Sequence, residues 1–191
     1  SGSTGNPKGI IHDHYSFSSR VARQQQEVGC CSDDIQMSVT PFSFVISLCD
    51  IIASLWAGAQ IHILTDDQRK DMAFIERYID EHGITSSVIS PQMLKRMHVR
   101  ESTLRLVNSG GERISGIYSP YMTIRNAYGM SELLGITFTF KLDKAYDNTP
   151  IGHPLCGYKA YLLDNDGNQV PDGEEGELCI SGTMARGYIN S

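Results

Sequence analysis

The sequence has no long apolar run. Its longest nearly uncharged stretch, Phe42 to Leu64, is broken by Ser43, Ser47, Asp50, Ser54, Gly58, Gln60 and His62, which makes it too polar for a membrane span. No basic leader with an apolar core opens these residues, so no secretion signal is read from them. Runs of Lys and Arg are also missing. With 16 basic and 22 acidic residues the net charge is −6, a poor balance for holding a nucleic acid. The five cysteines, Cys30, Cys31, Cys49, Cys156 and Cys179, form no CxxC pair and are odd in number. Neither a zinc site nor a disulfide framework is supported, and thiols at this density suit a reducing, cytoplasmic setting. There is no internal repeat and no low-complexity tract. What remains is 191 residues, 40% hydrophobic and 20% charged, an ordinary globular composition that excludes a disordered chain.

Short apolar, β-rich runs alternate with amphipathic stretches. Residues 14–28 read as a helix, with Phe17, Val21 and Val28 on one side and Arg20, Arg23, Gln24 and Glu27 elsewhere. Ile35 to Thr40 alternates like a strand. Phe44 to Ala57 reads as a buried helix, apolar nearly all round and closed by Gly58. Gln60 to Leu64 is a strand. Asp66 to His82 is a helix capped by Asp66 or Asp67 and ended by Gly83. Ser86 to Ser90 is a strand before a helix started by Pro91, and Leu104 to Ser109 and Thr123 to Tyr128 are further strands. This alternation predicts an α/β fold with a parallel sheet flanked by helices on both faces. Ligands of such sheets sit beyond the carboxyl ends of strands. After Pro150 the texture becomes β-rich. Gly157 to Leu163 pairs through the Asp164–Gly167 turn with Gln169-Val170, and Gly176 to Ser181 is another strand. The division falls at 1–152 and 153–191.

Four segments carry candidate chemistry. Ser1-Gly2-Ser3-Thr4-Gly5-Asn6-Pro7-Lys8-Gly9 combines glycines that let N–H groups converge with hydroxyls and a cation, a composition that suits phosphate oxygens. A flexible linker shares its Ser-Gly start. No Ser or Thr follows Lys8, which disfavours a P-loop hydrolase. Asn126-Ala127-Tyr128-Gly129-Met130-Ser131-Glu132, read as following a strand, offers a ring for stacking and two neighbouring oxygen ligands for magnesium; a tight turn with a half-buried tyrosine reads equally well. Gly110-Gly111-Glu112 permits close backbone approach but is weak alone. Gly176 to Gly182, followed by Ala185-Arg186-Gly187-Tyr188, reads as a strand and a turn. His12-Asp13-His14 reads as a helix cap at Asp13 or His14 rather than a metal site.

In order and spacing, these segments resemble the middle of an adenylation domain of the acyl-adenylate-forming superfamily, nearest in flavour to those of nonribosomal peptide synthetases. Ser1–Gly9 matches that family's phosphate loop. Asn126–Glu132 is similar to its Asn-x-Tyr-Gly-x-Thr-Glu motif, with Met130 and Ser131 in place of Pro and Thr. Ile151-Gly152-His153-Pro154 and Gly176–Tyr188 match two further motifs. The resemblance implies a flavodoxin-like sheet followed by a small β-rich segment. It implies ATP and Mg2+ as cofactors: Ser1, Ser3, Thr4 and Lys8 on the β- and γ-phosphates, Tyr128 stacked on adenine, and Asn126 and the Gly110–Gly111 backbone beside the base. Ser131 and Glu132 would be the catalytic pair that holds the metal. The implied reaction joins a carboxylic acid to AMP, and the acyl group then passes to a carrier-protein phosphopantetheine thiol.

The same resemblance maps an acyl pocket onto Phe44, Val45, Ile46, Cys49, Val88, Val107, Ser109, Ala127, Gly135 and Ile136. Val45 falls where α-amino-acid activators carry an Asp for the substrate ammonium. A buried valine cannot compensate that charge, so an acid without a free α-amino group is expected: a 2-keto, hydroxy, aryl or aliphatic acid. The family's first large subdomain, ribose-binding Asp, hinge and mobile C-terminal subdomain have no counterpart in these residues. On that reading they are not expected to turn over alone, and the alternative is a non-catalytic substrate-binding subdomain. No membrane or nucleic-acid partner is expected.

Overall fold

The computed structural model describes residues 8–98 and 100–189, without the side chains of Gln25, Gln26 and Val28. Ser1, Ser3 and Thr4 therefore lie outside the described residues. β1 (Ile10–Ile11) leads to α1 (His14–Val28). Asp13 caps this helix, its Oδ1 accepting from the Ser16 N–H at 2.7 Å. Then come β2 (Ile35–Ser38), α2 (Val45–Ala57), β3 (Gln60–Ile63), α3 (Met72–Glu81), β4 (Ser86–Val88), α4 (Pro91–Arg96) and β5 (Leu106–Gly110). β6 (Thr123–Met130), β7 (Gly135–Lys141) and β8 (His153–Pro154) follow, and β9 (Tyr158–Leu163), β10 (Glu177–Gly182) and β11 (Gly187–Tyr188) close the order.

The main sheet has seven strands in the order β3-β2-β4-β5-β6-β7-β8. From β3 to β6 the pairings are parallel, and β7 and β8 add antiparallel. Strand order reverses between β2 and β4, the doubly wound flavodoxin-like arrangement. On one face, Ile75 and Ile79 of α3 and Leu94 of α4 join Met37, Val107 and Ile124 in the larger apolar core. Met37 alternates with Gln36 and Ser38, so those two polar side chains turn to the opposite face. There the Asp50 carboxylate of α2 accepts from Gln36 Nε2 at 2.8 Å, and Ser86 Oγ donates to Gln36 Oε1.

Several local expectations are corrected. α2 is not apolar all round in its packing. Its buried side includes Ser47, Cys49, Asp50 and Ser54, while Leu48, Leu55 and Trp56 face outward. The opposing sheet face is polar, so the helix turns its polar residues inward to meet it. α3 starts later than expected. Asp66 and Asp67 precede a 3₁₀ turn at Gln68–Lys70, and the cap is Asp71, whose Oδ1 accepts from the Phe74 N–H at 3.0 Å. β6 runs through Met130, so Asn126–Met130 lies within a strand rather than after one. The principal partner of β9 is β10, and the expected pairing with Gln169-Val170 is reduced to a bridge at Leu163 and Gln169. No helix among the described residues is long and apolar enough to cross a membrane.

Candidate functional site

Three of the four segments meet at one place. β1 pairs antiparallel with β11, Ile10 opposite Tyr188. The Arg186 N–H donates to the Ile11 carbonyl at 2.8 Å, and the Ala185 N–H donates to the Glu132 carbonyl at 2.7 Å. His12 Nε2 donates to the Ser131 carbonyl at 2.8 Å. Tyr188 Oη donates to Glu132 Oε1 at 2.7 Å, and Lys8 Nζ lies 5.4 Å from the Tyr188 ring centroid. The described end of the glycine–hydroxyl opening, the Ser131–Glu132 turn and the Ala185–Tyr188 turn are thus tied into one cluster. Beside it lies a cavity of about 290 Å³, with Glu132 and Tyr188 at its polar edge and Leu178, Ile180 and Met184 on its apolar wall.

This donor set fits a magnesium ion. Glu132 is half-buried and Ser131 exposed, and Tyr188 engages Oε1 of the Glu132 carboxylate, leaving Oε2 for a cation. One carboxylate with a neighbouring hydroxyl is what Mg2+ uses when phosphates complete its shell.

The adenine-side candidates are only partly drawn into this cluster. Tyr128 is half-buried and meets Phe138 edge-on, ring centroids 5.9 Å apart. Asn126 Nδ2 donates to the Pro150 carbonyl at 2.9 Å, so that nitrogen already has a structural partner. Gly110 has a local reason to be glycine: a Cβ there would fall 1.9 Å from the Ala127 carbonyl oxygen across the β5–β6 pair. Gly111 has φ +82 and open space around it.

The acyl-pocket candidates divide. A Cβ on Gly135 would sit 3.6 Å from Cys49 Sγ and 3.7 Å from Ile46 Cδ1, and Ala127, Ile136 and Ile46 share one apolar cluster with Leu155 and Tyr158. The Cys49 thiol donates to the Leu134 carbonyl at 3.2 Å, and burial pushes its pKa up to about 11, so it is a neutral wall residue. Val107 belongs instead to the larger core beneath α3 and α4. Ser109, two residues along β5, shares that side by strand alternation. Phe44 is exposed, Val45 half-buried and Val88 buried. The structure thus gathers Ile46, Cys49, Ala127, Gly135 and Ile136, and leaves Val107 and Ser109 on the other side of the sheet.

A family profile described as AMP-binding enzyme matches residues 1–189. The chain belongs to that family. As an AMP-binding enzyme chain it is 33% identical over 194 residues to bacitracin synthase 1 of Bacillus licheniformis, a match covering all of this chain and 4% of that protein. Among solved structures it is similar to the anthranilate CoA ligase AuaEII in complex with anthranoyl-AMP. The TM-score is 0.85 at 22% identity, over 100% of this chain and 40% of that one. It is also similar to the N-terminal subdomain of Klebsiella oxytoca NpsA in complex with 3-hydroxybenzoyl-AMSN. There the TM-score is 0.78 at 22% identity, over 98% of this chain and 52% of that one. The chain thus spans a small part of the curated relative and about half or less of the solved chains, whose likeness carries the fold.

Within this AMP-binding enzyme chain, sequence reasoning missed two contributors. His12 and Tyr188 hold the turn that carries Glu132. Their signal was present: each lies within or beside a motif, but neither hydrogen bond follows from spacing. Leu134 adopts φ 56, a left-handed conformation costly for a branched side chain, directly after that turn. Arg20, placed off the apolar side of α1, is fully buried.

Proposed function

We propose that this chain binds Mg–ATP and a carboxylic acid and serves acyl-adenylate formation. The substrate carboxylate attacks the α-phosphorus, the bond to the β-phosphate oxygen breaks, and pyrophosphate leaves with its electron pair. The observation that carries this reading is the convergence of Lys8–Asp13, Ser131–Glu132 and Ala185–Tyr188 on one cluster. Lys8 and the Ser1, Ser3 and Thr4 hydroxyls would meet the β- and γ-phosphates, and Tyr128 would stack on the base. Glu132 with Ser131 would hold Mg2+, which neutralises charge on the phosphates. No side chain acts as a nucleophile; positioning and charge neutralisation do the work. Transfer of the acyl group to a carrier-protein phosphopantetheine thiol follows in this reading, and the likeness to bacitracin synthase 1 supports it.

The acid lacks a free α-amino group. Val45 offers no counter-charge, and the gathered wall of Ile46, Cys49, Ala127, Gly135 and Ile136 is neutral. An ammonium placed there would be buried and unpaired. Binding of 5′-sulfamoyladenosine conjugates, measured by calorimetry, tests both halves. A 2-hydroxyacyl conjugate binds at least about tenfold tighter than the 2-aminoacyl conjugate with the same side chain. Tighter binding of the aminoacyl form refutes the acid class, and no binding of either refutes the adenylate site.

A further inference from the structure

α2 buries a carboxylate that no cation of the chain answers. Among the described residues Asp50 forms no ion pair, and its hydrogen-bond donor is Gln36 Nε2, at Oδ2. The arginines of this neighbourhood are engaged elsewhere. Arg20, one turn before Gln24 on α1, acts on Tyr158, Cys49 and Glu27. Arg105 is paired with Asp34 and donates to the Gly29 carbonyl at 3.3 Å. Neither acts on Asp50, whose pKa is set by burial and by the Gln36 bond at about 7, so the group is charged at pH 8.

This carboxylate borders a small cavity between α1, α2, β2 and β5. Gln24, Gln36, Asp50, Ser54 and Asn108 supply its polar lining, and its volume of about 20 Å³ has room for one occupant the size of a water molecule. Gly29 and Cys30 are the half-buried residues of the lining and form its mouth. Gln24 and Asn108 are only 4% and 9% exposed, and neither Gln24 Oε1 nor Asn108 Oδ1 has a hydrogen-bond partner. Of the lining's own donors, Gln36 Nε2 is spent on Asp50 Oδ2 and Ser54 Oγ on the Asp50 carbonyl, at 2.9 Å. A water molecule has two hydrogens to give. It cannot serve Gln24 Oε1, Asn108 Oδ1 and Asp50 Oδ1 together, and it brings no charge for the carboxylate. A cation meets all three. One carboxylate balances a single positive charge. Ca2+ takes more oxygens than line this cavity, and Mg2+ keeps waters for which there is no room. No group of three His, Cys, Asp or Glu side chains gathers among the described residues to favour a transition metal.

We propose that this cavity binds one monovalent alkali cation, held by the Asp50 carboxylate and the side-chain oxygens of Gln24 and Asn108. The ion bridges α1, α2 and β5, and so fixes the inner side of the helix that carries Ile46 and Cys49. The site shares no lining residue with the cavity beside Glu132 and needs neither nucleotide nor acid.

The test is calorimetric unfolding of the 191-residue chain at pH 8 in lithium, sodium, potassium, rubidium and choline chlorides at equal ionic strength. At least one alkali chloride raises the melting temperature saturably, by about 2 °C or more over choline chloride. The same ion, titrated at constant ionic strength, moves the ¹⁵N side-chain amide resonances of Gln24 and Asn108 along one saturation curve. D50N keeps the shape of the cavity and loses both responses, so the parent protein gains on D50N in that salt. Should D50N not fold, Q24M weakens binding of the ion by about tenfold or more. Equal melting temperatures in all the salts, with both amides unmoved, leave the cavity to a water molecule and overturn the proposal. A melting response that leaves these amides still, or that D50N retains, places the ion elsewhere and overturns it as well.

Discussion

Asp50 is buried with the Gln36 amide as its hydrogen-bond partner, and burial raises its pKa to about 7 despite that bond. In the unfolded chain it ionises near pH 4. Its contribution to stability is therefore fully present below pH 4 and is lost as pH rises through 7. D50N keeps the shape and the acceptor for Gln36. It flattens the melting-temperature profile between pH 4 and 7 and stabilises the protein at pH 8 by on the order of 3 kcal/mol, read by calorimetric unfolding. Asp34 has the opposite sign. Burial pushes it up, but bonds from Thr85, Arg105 and the Cys31 N–H outweigh burial and bring it to about 2. Its stabilisation is present above pH 4 and lost as pH falls toward 2, and D34N removes that acid limb from the same profile. Neither role was legible from the residues. Asp34 sits in a polar stretch and Asp50 in an apolar one, and only the packing of α2 on the polar face of β2 and β4 decides how the Asp50 carboxylate is enclosed.

α2 shows why an element can be legible while its orientation is not. Its length and its Gly58 stop were readable, because glycine closes the helix in the left-handed conformation at φ 79. Its facing was not, since an apolar composition says nothing about a polar sheet opposite. The consequence is measurable by urea unfolding. Trp56→Gln, at a residue 64% exposed, changes stability by no more than about 0.5 kcal/mol, whereas Ala53→Gln, at 5%, costs about 2 kcal/mol or more. β7 was overlooked although Ile136, Phe138 and Phe140 alternate as a strand does. The overlooked strand also explains why β6 is long: Gly129 stays in the ladder because its partner crosses closely. A Cβ at Gly129 would fall 1.7 Å from the Gly135 carbonyl oxygen. G129A accordingly separates β6 from β7, costs about 3 kcal/mol or more in the same unfolding assay, and displaces the Glu132 turn.

At the scale of the molecule, a doubly wound sheet carries its chemistry at the margin. β1 and β11, from opposite ends of the chain, close against the turn that follows β6. That closure was legible only through the order and spacing of whole motifs, because each motif alone has an ordinary structural explanation. The acyl pocket was less legible. Counting positions located the wall residues on α2, but not the face to which Val107 and Ser109 turn. In the proposed reading the opening segment and the tyrosine–glutamate strand end embrace one nucleotide. Backbone chemical-shift mapping with Mg–ATP tests it most directly. Saturation moves the amides of Lys8–His12 and of Tyr128–Glu132 together, and E132Q weakens binding by about tenfold or more when magnesium is present. Shifts confined to one of the two segments, or binding indifferent to both magnesium and Glu132, would contradict it.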